Sequence, residues 1–252
     1  MNQSEKADHF KSLHVKGDPL VLYNIWDAGG ANMLSKAGAA AVATGSWSVA
    51  AAHGYDDGEA IPLAFVLQIV ERIAQATDLP LTVDFEGGYS ADPEQVAENT
   101  RKVIRAGAIG VNFEDQVVQG DGLYSISTQV ARIKAMRQAA ESEGVPLFIN
   151  ARTDLFLGTD PAAHPAQVAE AIDRAAAYAE AGADGYFVPR LSDLALIDQI
   201  VGQVSLPVNV MMMGDLASIK EVASAGVARA SFGPGPYFTA MSDLTERFSA
   251  LK

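Results

Sequence analysis

Residues 105–115 read Arg105-Ala106-Gly107-Ala108-Ile109-Gly110-Val111-Asn112-Phe113-Glu114-Asp115. A basic residue closes a helical pattern, an Ala-Gly pair offers a left-handed C-cap, and a short apolar run ends abruptly in two acids. The same punctuation recurs at Lys36-Ala37-Gly38, Glu180-Ala181-Gly182 and Ser224-Ala225-Gly226. Each copy predicts the end of a helix and the start of a buried strand, which makes helix, Ala-Gly, strand the repeating unit of the chain.

Working outward, eight apolar runs stand out: 19–27, 40–46, 80–86, 109–115, 146–153, 185–190, 207–212 and 228–233. They are short and almost continuous in hydrophobicity, as parallel strands buried on both faces must be. Amphipathic segments separate them. In 126–144, Ile126, Val130, Ile133 and Met136 mark one face, leaving Arg132, Lys134 and Arg137 for the other. Eight strands each followed by a helix predict an α/β fold, a single-domain (β/α)8 TIM barrel over residues 1–252, with 1–18 as an N-terminal extension. A doubly wound open sheet is the alternative. It usually has fewer strands and a glycine-rich first turn, and Asp27-Ala28-Gly29-Gly30 is not GxGxxG.

Composition narrows the function. At 49% hydrophobic, 252 residues can build one large core. No run of eighteen apolar residues predicts a membrane span, and the polar N-terminus lacks an apolar targeting core, so the cytoplasm is the expected compartment. The absence of cysteine excludes disulfides, thiolate metal sites and a cysteine nucleophile or acid. A net charge of −13 argues against nucleic-acid binding. It would also repel an anionic substrate, unless a cation and local donors invert the field at the site.

Catalytic groups of such barrels sit at the C-terminal ends of the strands. Asp84 and Glu86 end the third run, two residues apart and therefore expected on one face; Glu114 ends the fourth. Three converging carboxylates would repel one another without a cation between them, and all-oxygen ligation suits Mg2+, with Mn2+ possible. Arg152 ends the fifth run and could fork onto a substrate carboxylate or enolate, or pair with Glu114 or Asp84. Gly45, Ser46 and Trp47 end the second and offer successive backbone N–H groups to an anion. Asn209 reads as a donor inside the barrel or as a satisfied buried amide. None of the four histidines falls at a strand end, so histidine base chemistry is not indicated. The loops at 50–61, rich in Asp, and at 116–124, with two glycines, read as a mobile lid or as surface connections.

Five motifs in order carry a family resemblance: 24–29 (NIWDAG), 53–59 (HGYDDGE), 84–89 (DFEGGY), 112–116 (NFEDQ) and 150–154 (NARTD). The sequence resembles the isocitrate lyase/phosphoenolpyruvate mutase superfamily over nearly its whole length. The resemblance implies a Mg2+-dependent barrel enzyme acting on 2-oxo acids or their enolates, and a homo-oligomer (dimer or tetramer). It implies Asp84 as the most direct metal ligand, with Glu86 and Glu114 assisting; many members carry Asp in place of Glu86. It places Gly45, Ser46 and Trp47 on the substrate carboxylate, Arg152 on its oxygen end, and Asp57 near the substrate as in the mutase and hydrolase branches. Two departures bear on the reaction. The lyase branch has Lys-Lys-Cys-Gly-His after the fourth strand, where this chain reads Gln119-Gly120-Asp121-Gly122-Leu123, so isocitrate or methylisocitrate cleavage is not expected. The lysine and asparagine of the mutase gating loop are also missing there.

Three functions are therefore set against one another. The first is a Mg2+-dependent carbon–carbon lyase or decarboxylase that acts on a small 2-oxo (or 2-hydroxy) dicarboxylic acid through a metal-stabilised enolate, with Arg152, Asp57 and Glu114 catalytic. The second is P–C bond chemistry, mutase or hydrolase, on phosphonopyruvate or phosphoenolpyruvate. The third is a catalytically silent barrel that binds a 2-oxo acid.

Overall fold

The computed structural model describes residues 1–216 and 218–252. Its eight strands are all parallel: β1 Leu20–Leu22, β2 Val42–Ala43, β3 Leu81–Asp84, β4 Gly110–Glu114, β5 Phe148–Arg152, β6 Gly185–Val188, β7 Val208–Met211 and β8 Arg229–Ser231. Neighbours run β1-β8-β7-β6-β5-β4-β3-β2. The ring closes between β1 and β2 through one bridge, Ile25 with Thr44, where the Ile25 N–H donates to Ala43 O at 2.8 Å. This is the (β/α)8 barrel, and the open sheet is excluded. Every strand is shorter than its apolar run, because the run continues into the loop that carries the polar residues.

The helices wrap outside. They are α1 Gln3–Ser12, α2 Ala28–Lys36, α3 Ser46–Ala52, α4 Leu63–Ala76, α5 Pro93–Arg105, α6 Ile126–Ser142, α7 His164–Glu180, α8 Leu194–Gln203, α9 Ile219–Ser224 and α10 Gly235–Ser249. The Ala-Gly junctions behave as read: Ala37, Ala106, Ala181 and Ala225 are the C-caps of α2, α5, α7 and α9. Gly107 shows why glycine is needed, with φ +110° and any Cβ only 2.5 Å from Ala74 Cβ.

Residues 1–18 are more than an extension. Phe10 of α1 packs edge-on against Phe148, at the N-terminal end of β5, and His14 stacks on the same ring at 4.2 Å. Gln3 Nε2 donates to Ile104 O and Ala108 O. The N-terminal helix thus covers the bottom of the barrel.

Helix α6 corrects one expectation. Ile133 and Met136 are buried as read, but Arg132 is buried beside them. Its guanidinium lies between the Phe113 and Tyr124 rings, 4.7 and 4.3 Å from their centroids, and donates to Gln129 Oε1 and the carbonyls of Gly87 and Ser90. An arginine passes for a surface residue when only its charge is counted; here carbonyls and two ring faces replace water.

Candidate active site

Asp84 is the hub of the barrel mouth. Its Oδ2 accepts from both the N–H and the Oγ of Ser46, at 3.0 and 2.9 Å, and its Oδ1 accepts from Asn112 Nδ2 at 3.2 Å. Asn112 is held from below, where its Oδ1 accepts from Asn150 Nδ2 at 2.9 Å and from the wholly buried Arg229 at 3.1 Å. A chain of hydrogen bonds through the barrel core therefore orients the carboxylate.

Two expectations change here. Gly45, Ser46 and Trp47 are not a loop nest: Gly45 is the N-cap of α3, and the Ser46 N–H is already given to Asp84. Nor do Asp84 and Glu86 share a strand face, because β3 ends at Asp84 and Glu86 has a left-handed backbone, φ +49°. The Glu86 carboxylate turns to the loop after α3, where Oε2 accepts the Glu59 N–H at 2.6 Å. Glu59 Oε1 in turn accepts the Tyr89 N–H at 2.7 Å, so the loop before α4 and the turn after β3 lock together.

Each of the three nitrogens of the Arg152 guanidinium meets a protein carboxylate. Its Nε and Nη2 fork onto Asp154 at 2.6 and 3.0 Å, and Nη1 lies 2.9 Å from Glu114 Oε2. The pairing with Glu114 is one of those expected from sequence; the fork onto Asp154 was missed. Asp154 is itself fixed, since its N–H donates to Asp115, which also accepts from Arg174 and the Tyr178 hydroxyl.

These groups surround a cavity of about 390 Å3. Gly45, Ser46, Trp47, Asp57, Asp84 and Arg152 line it, so six of the residues singled out from sequence meet at one place. Asn24, Asn112 and Arg190 line it as well and had not been singled out as site residues. The other side is apolar, with Leu157, Phe187, Met211 and Met213. Glu86 shares a narrow adjoining crevice with Asp84, and Glu114 is buried behind Arg152. Asn209 is not on the wall: it lies within the barrel, where Oδ1 accepts from Ser231 Oγ at 3.2 Å and Nδ2 has no partner. His53 is withdrawn too, with Nδ1 on Val49 O and its ring against Phe65. The 116–124 loop is a small hairpin, bridged between Gln116 and Leu123.

Electrostatics report too much negative charge for the space. Burial, then Asp57 and Asp84, push Glu86 up to about 8. Burial and the Asp84 charge also raise Asp57. Burial raises Glu114 well above the carboxylate range despite the Arg152 cation beside it. Among the described residues no three acidic or histidine side chains converge closely enough to enclose an ion; Asp84, Glu86 and Glu114 are each turned to a protein donor. The donors are nonetheless all oxygen, mutually repelling and partly buried, which is the chemistry of a hard divalent cation's site.

Fold and mouth together define a barrel enzyme built around an acidic, one-sided cleft. The phosphoenolpyruvate phosphomutase family model matches residues 10–252, and the chain belongs to that family. It is 32% identical over 252 residues to 2-methylisocitrate lyase of Escherichia coli, covering 94% of this chain and 81% of that protein. It is 25% identical over 189 residues to oxaloacetate decarboxylase of Pseudomonas fluorescens, 72% and 62% of the two chains. The solved structure of a putative phosphonomutase from Burkholderia cenocepacia superposes with a TM-score of 0.97 at 48% identity, covering all of both chains. The protein is an enzyme of the isocitrate lyase/phosphoenolpyruvate mutase superfamily, related to its carbon–carbon lyases. Among the described residues no helix is long and apolar enough to cross a membrane.

Proposed function

We propose that the enzyme is a Mg2+-dependent lyase or decarboxylase that breaks the C3–C4 bond of a small 2-oxo dicarboxylic acid, one carbon removed from the 2-oxo group. The observation that carries this reading is Asp84, fixed by Ser46 and Asn112 at the wall of a cavity that also holds Asp57 and Arg152. Asp84 would hold the ion directly, with Glu86 and Glu114 assisting through water, and the ion would supply positive charge to the substrate oxygens.

The residues of the chain do the rest. In a decarboxylation the C3–C4 bond breaks and C4 leaves as carbon dioxide; the electron pair left on C3 delocalises onto the C2 oxygen as an enolate, and C3 then takes a proton. Its charge develops beside the Arg152 guanidinium, whose position Asp154 and Glu114 fix before substrate arrives. Asp57 faces the same cavity with a raised proton affinity, so it is the residue suited to deliver that proton. Leu157, Phe187 and Met211 exclude water from the opposite side.

The test is turnover of oxaloacetate and related 2-oxo and 2-hydroxy acids with and without Mg2+, for the wild type and Asp84→Ala. Metal-dependent turnover that disappears in Asp84→Ala supports the assignment; unchanged turnover in that variant refutes it. P–C bond chemistry on phosphonopyruvate is the second reading, favoured by the family model and by the likeness to a putative phosphonomutase. Release of phosphate or phosphoenolpyruvate from that compound, with oxaloacetate ignored, would establish it instead.

A further inference from the structure

Among the described residues two cations line the cavity, and they differ. All three nitrogens of the Arg152 guanidinium lie within ion-pair distance of Asp154 or Glu114. Arg190, just beyond β6, has no carboxylate within that distance among the described residues; its Nη1 meets only Met213 Sδ at 3.7 Å. Arg190 is exposed at the rim, so water solvates its guanidinium, and in a chain of net charge −13 it is a cation left free to meet a ligand in a cleft lined by two aspartates.

Its backbone strengthens the point. Among the described residues four non-glycines have a left-handed φ: Glu59, Glu86, Tyr89 and Arg190, all at the mouth of the barrel. The first three are tied together by the hydrogen bonds between Glu59, Glu86 and Tyr89. No such bond of its side chain accounts for Arg190, at φ +68°, where a glycine would be unstrained.

Topology sets the direction in which this cation acts. Asp84 ends β3 and Arg190 follows β6, so β4 and β5 separate them and Arg152, at the end of β5, lies between. Three steps around an eight-stranded ring carry the chain nearly to the opposite rim. A ligand whose 2-oxo acid end lay at Asp84 would run past Arg152, one strand short of Arg190, and along the Leu157 and Phe187 wall toward Arg190.

We propose that Arg190 is the specificity residue of the site: it selects a 2-oxo acid that carries a second carboxylate and holds that distal carboxylate across the cleft. The inference rests on the 2-oxo acid reading above and adds which residue distinguishes a diacid from a monoacid. A guanidinium with free N–H groups binds a carboxylate through charge-assisted, forked hydrogen bonds.

The experiment compares Arg190→Gly and Arg190→Lys with wild type, with Mg2+ in every arm. Dissociation constants are measured for two pairs of probes that differ by one carboxylate, pyruvate against oxaloacetate and 2-oxobutyrate against 2-oxoglutarate. Wild type should prefer the diacid in at least one pair. Arg190→Gly should reduce that preference about tenfold or more, leave the monoacid's affinity unchanged, and hold or raise the melting temperature because the left-handed backbone is relieved. Arg190→Lys should keep part of the preference. A wild type that binds monoacid and diacid alike, or a preference that survives Arg190→Gly, overturns the role of Arg190 and leaves the 2-oxo acid reading standing. A wild type that binds none of the four probes overturns both.

Discussion

Replacing Arg152 by methionine tests whether the guanidinium is spent on the protein or reserved for substrate. The side chain is 15% exposed and its partners less, Glu114 at 6% and Asp154 at 2%. Arg152→Met keeps most of the length and removes the charge, stranding two buried carboxylates. Breaking a buried pair by deleting one partner costs about 3–5 kcal/mol. For a chain of this size that is a fall in melting temperature of about 6–20 °C. The sharper assay is a double-mutant cycle by denaturant unfolding with Asp154→Asn. Removing the second charge relieves part of the first loss, so the double variant should be more stable than the sum predicts by about 2 kcal/mol. Additivity to within about 0.5 kcal/mol would mean the fork between Arg152 and Asp154 contributes nothing, and the argument that Arg190 is the cleft's unspent cation would lose its premise.

Two further outcomes follow from packing and charge. A Cβ at Gly185 would stand 2.7 Å from Asn150 Oδ1 and 2.9 Å from Phe148 Cε1, so Gly185→Ala should destabilise the protein by about 1–3 kcal/mol; because Asn150 donates to Asn112 and Asn112 to Asp84, turnover should fall as well, and full activity at full stability would contradict the core relay. Burial and then the Arg229 charge lower His14 from its ordinary 6.5 to about 3; the unfolded chain then binds the extra proton first, so this residue's contribution is intact above pH 6.5 and is lost as pH falls toward 3, with a slope of at most about 1.4 kcal/mol per pH unit. His14→Leu should flatten that part of a stability-against-pH curve, and an unaltered curve would show that His14 is not held neutral.

Periodicity and punctuation were enough for the barrel. Strands buried on both faces must be apolar throughout, and a helix that ends against the next strand needs a left-handed residue, so residues 105–115 carry both signals locally. The same logic located the mouth, because a polar side chain at the end of an apolar run has nowhere else to go. Gly45, Ser46, Trp47, Asp84 and Arg152 all reached it, as did Asp57, which the family resemblance and not a strand end had pointed to. Asn209 did not, since an amide in mid-strand points into the core as readily as toward a ligand. Arg190 lay at a marked strand end yet was passed over, because the sequence shows a charge there without showing that it lacks a partner.

What a side chain is paired with depends on residues far along the chain. Asp84 takes its hydrogen bonds from Ser46, thirty-eight positions earlier, and Asn112, twenty-eight later. Arg229 supports Asn112 across 117 positions. Alternation along β3 put Asp84 and Glu86 on one face, but the strand stops at Asp84 and a left-handed turn hands Glu86 to Glu59. Arg132 was read outward from its charge and folded inward because two aromatic rings and three acceptors were waiting. Local backbone preference and hydrophobic period are properties of a few consecutive residues, so the order of letters settles them. Pairing of buried charges is a property of the closed barrel, because it is desolvation by distant strands that makes one partner worth more than another.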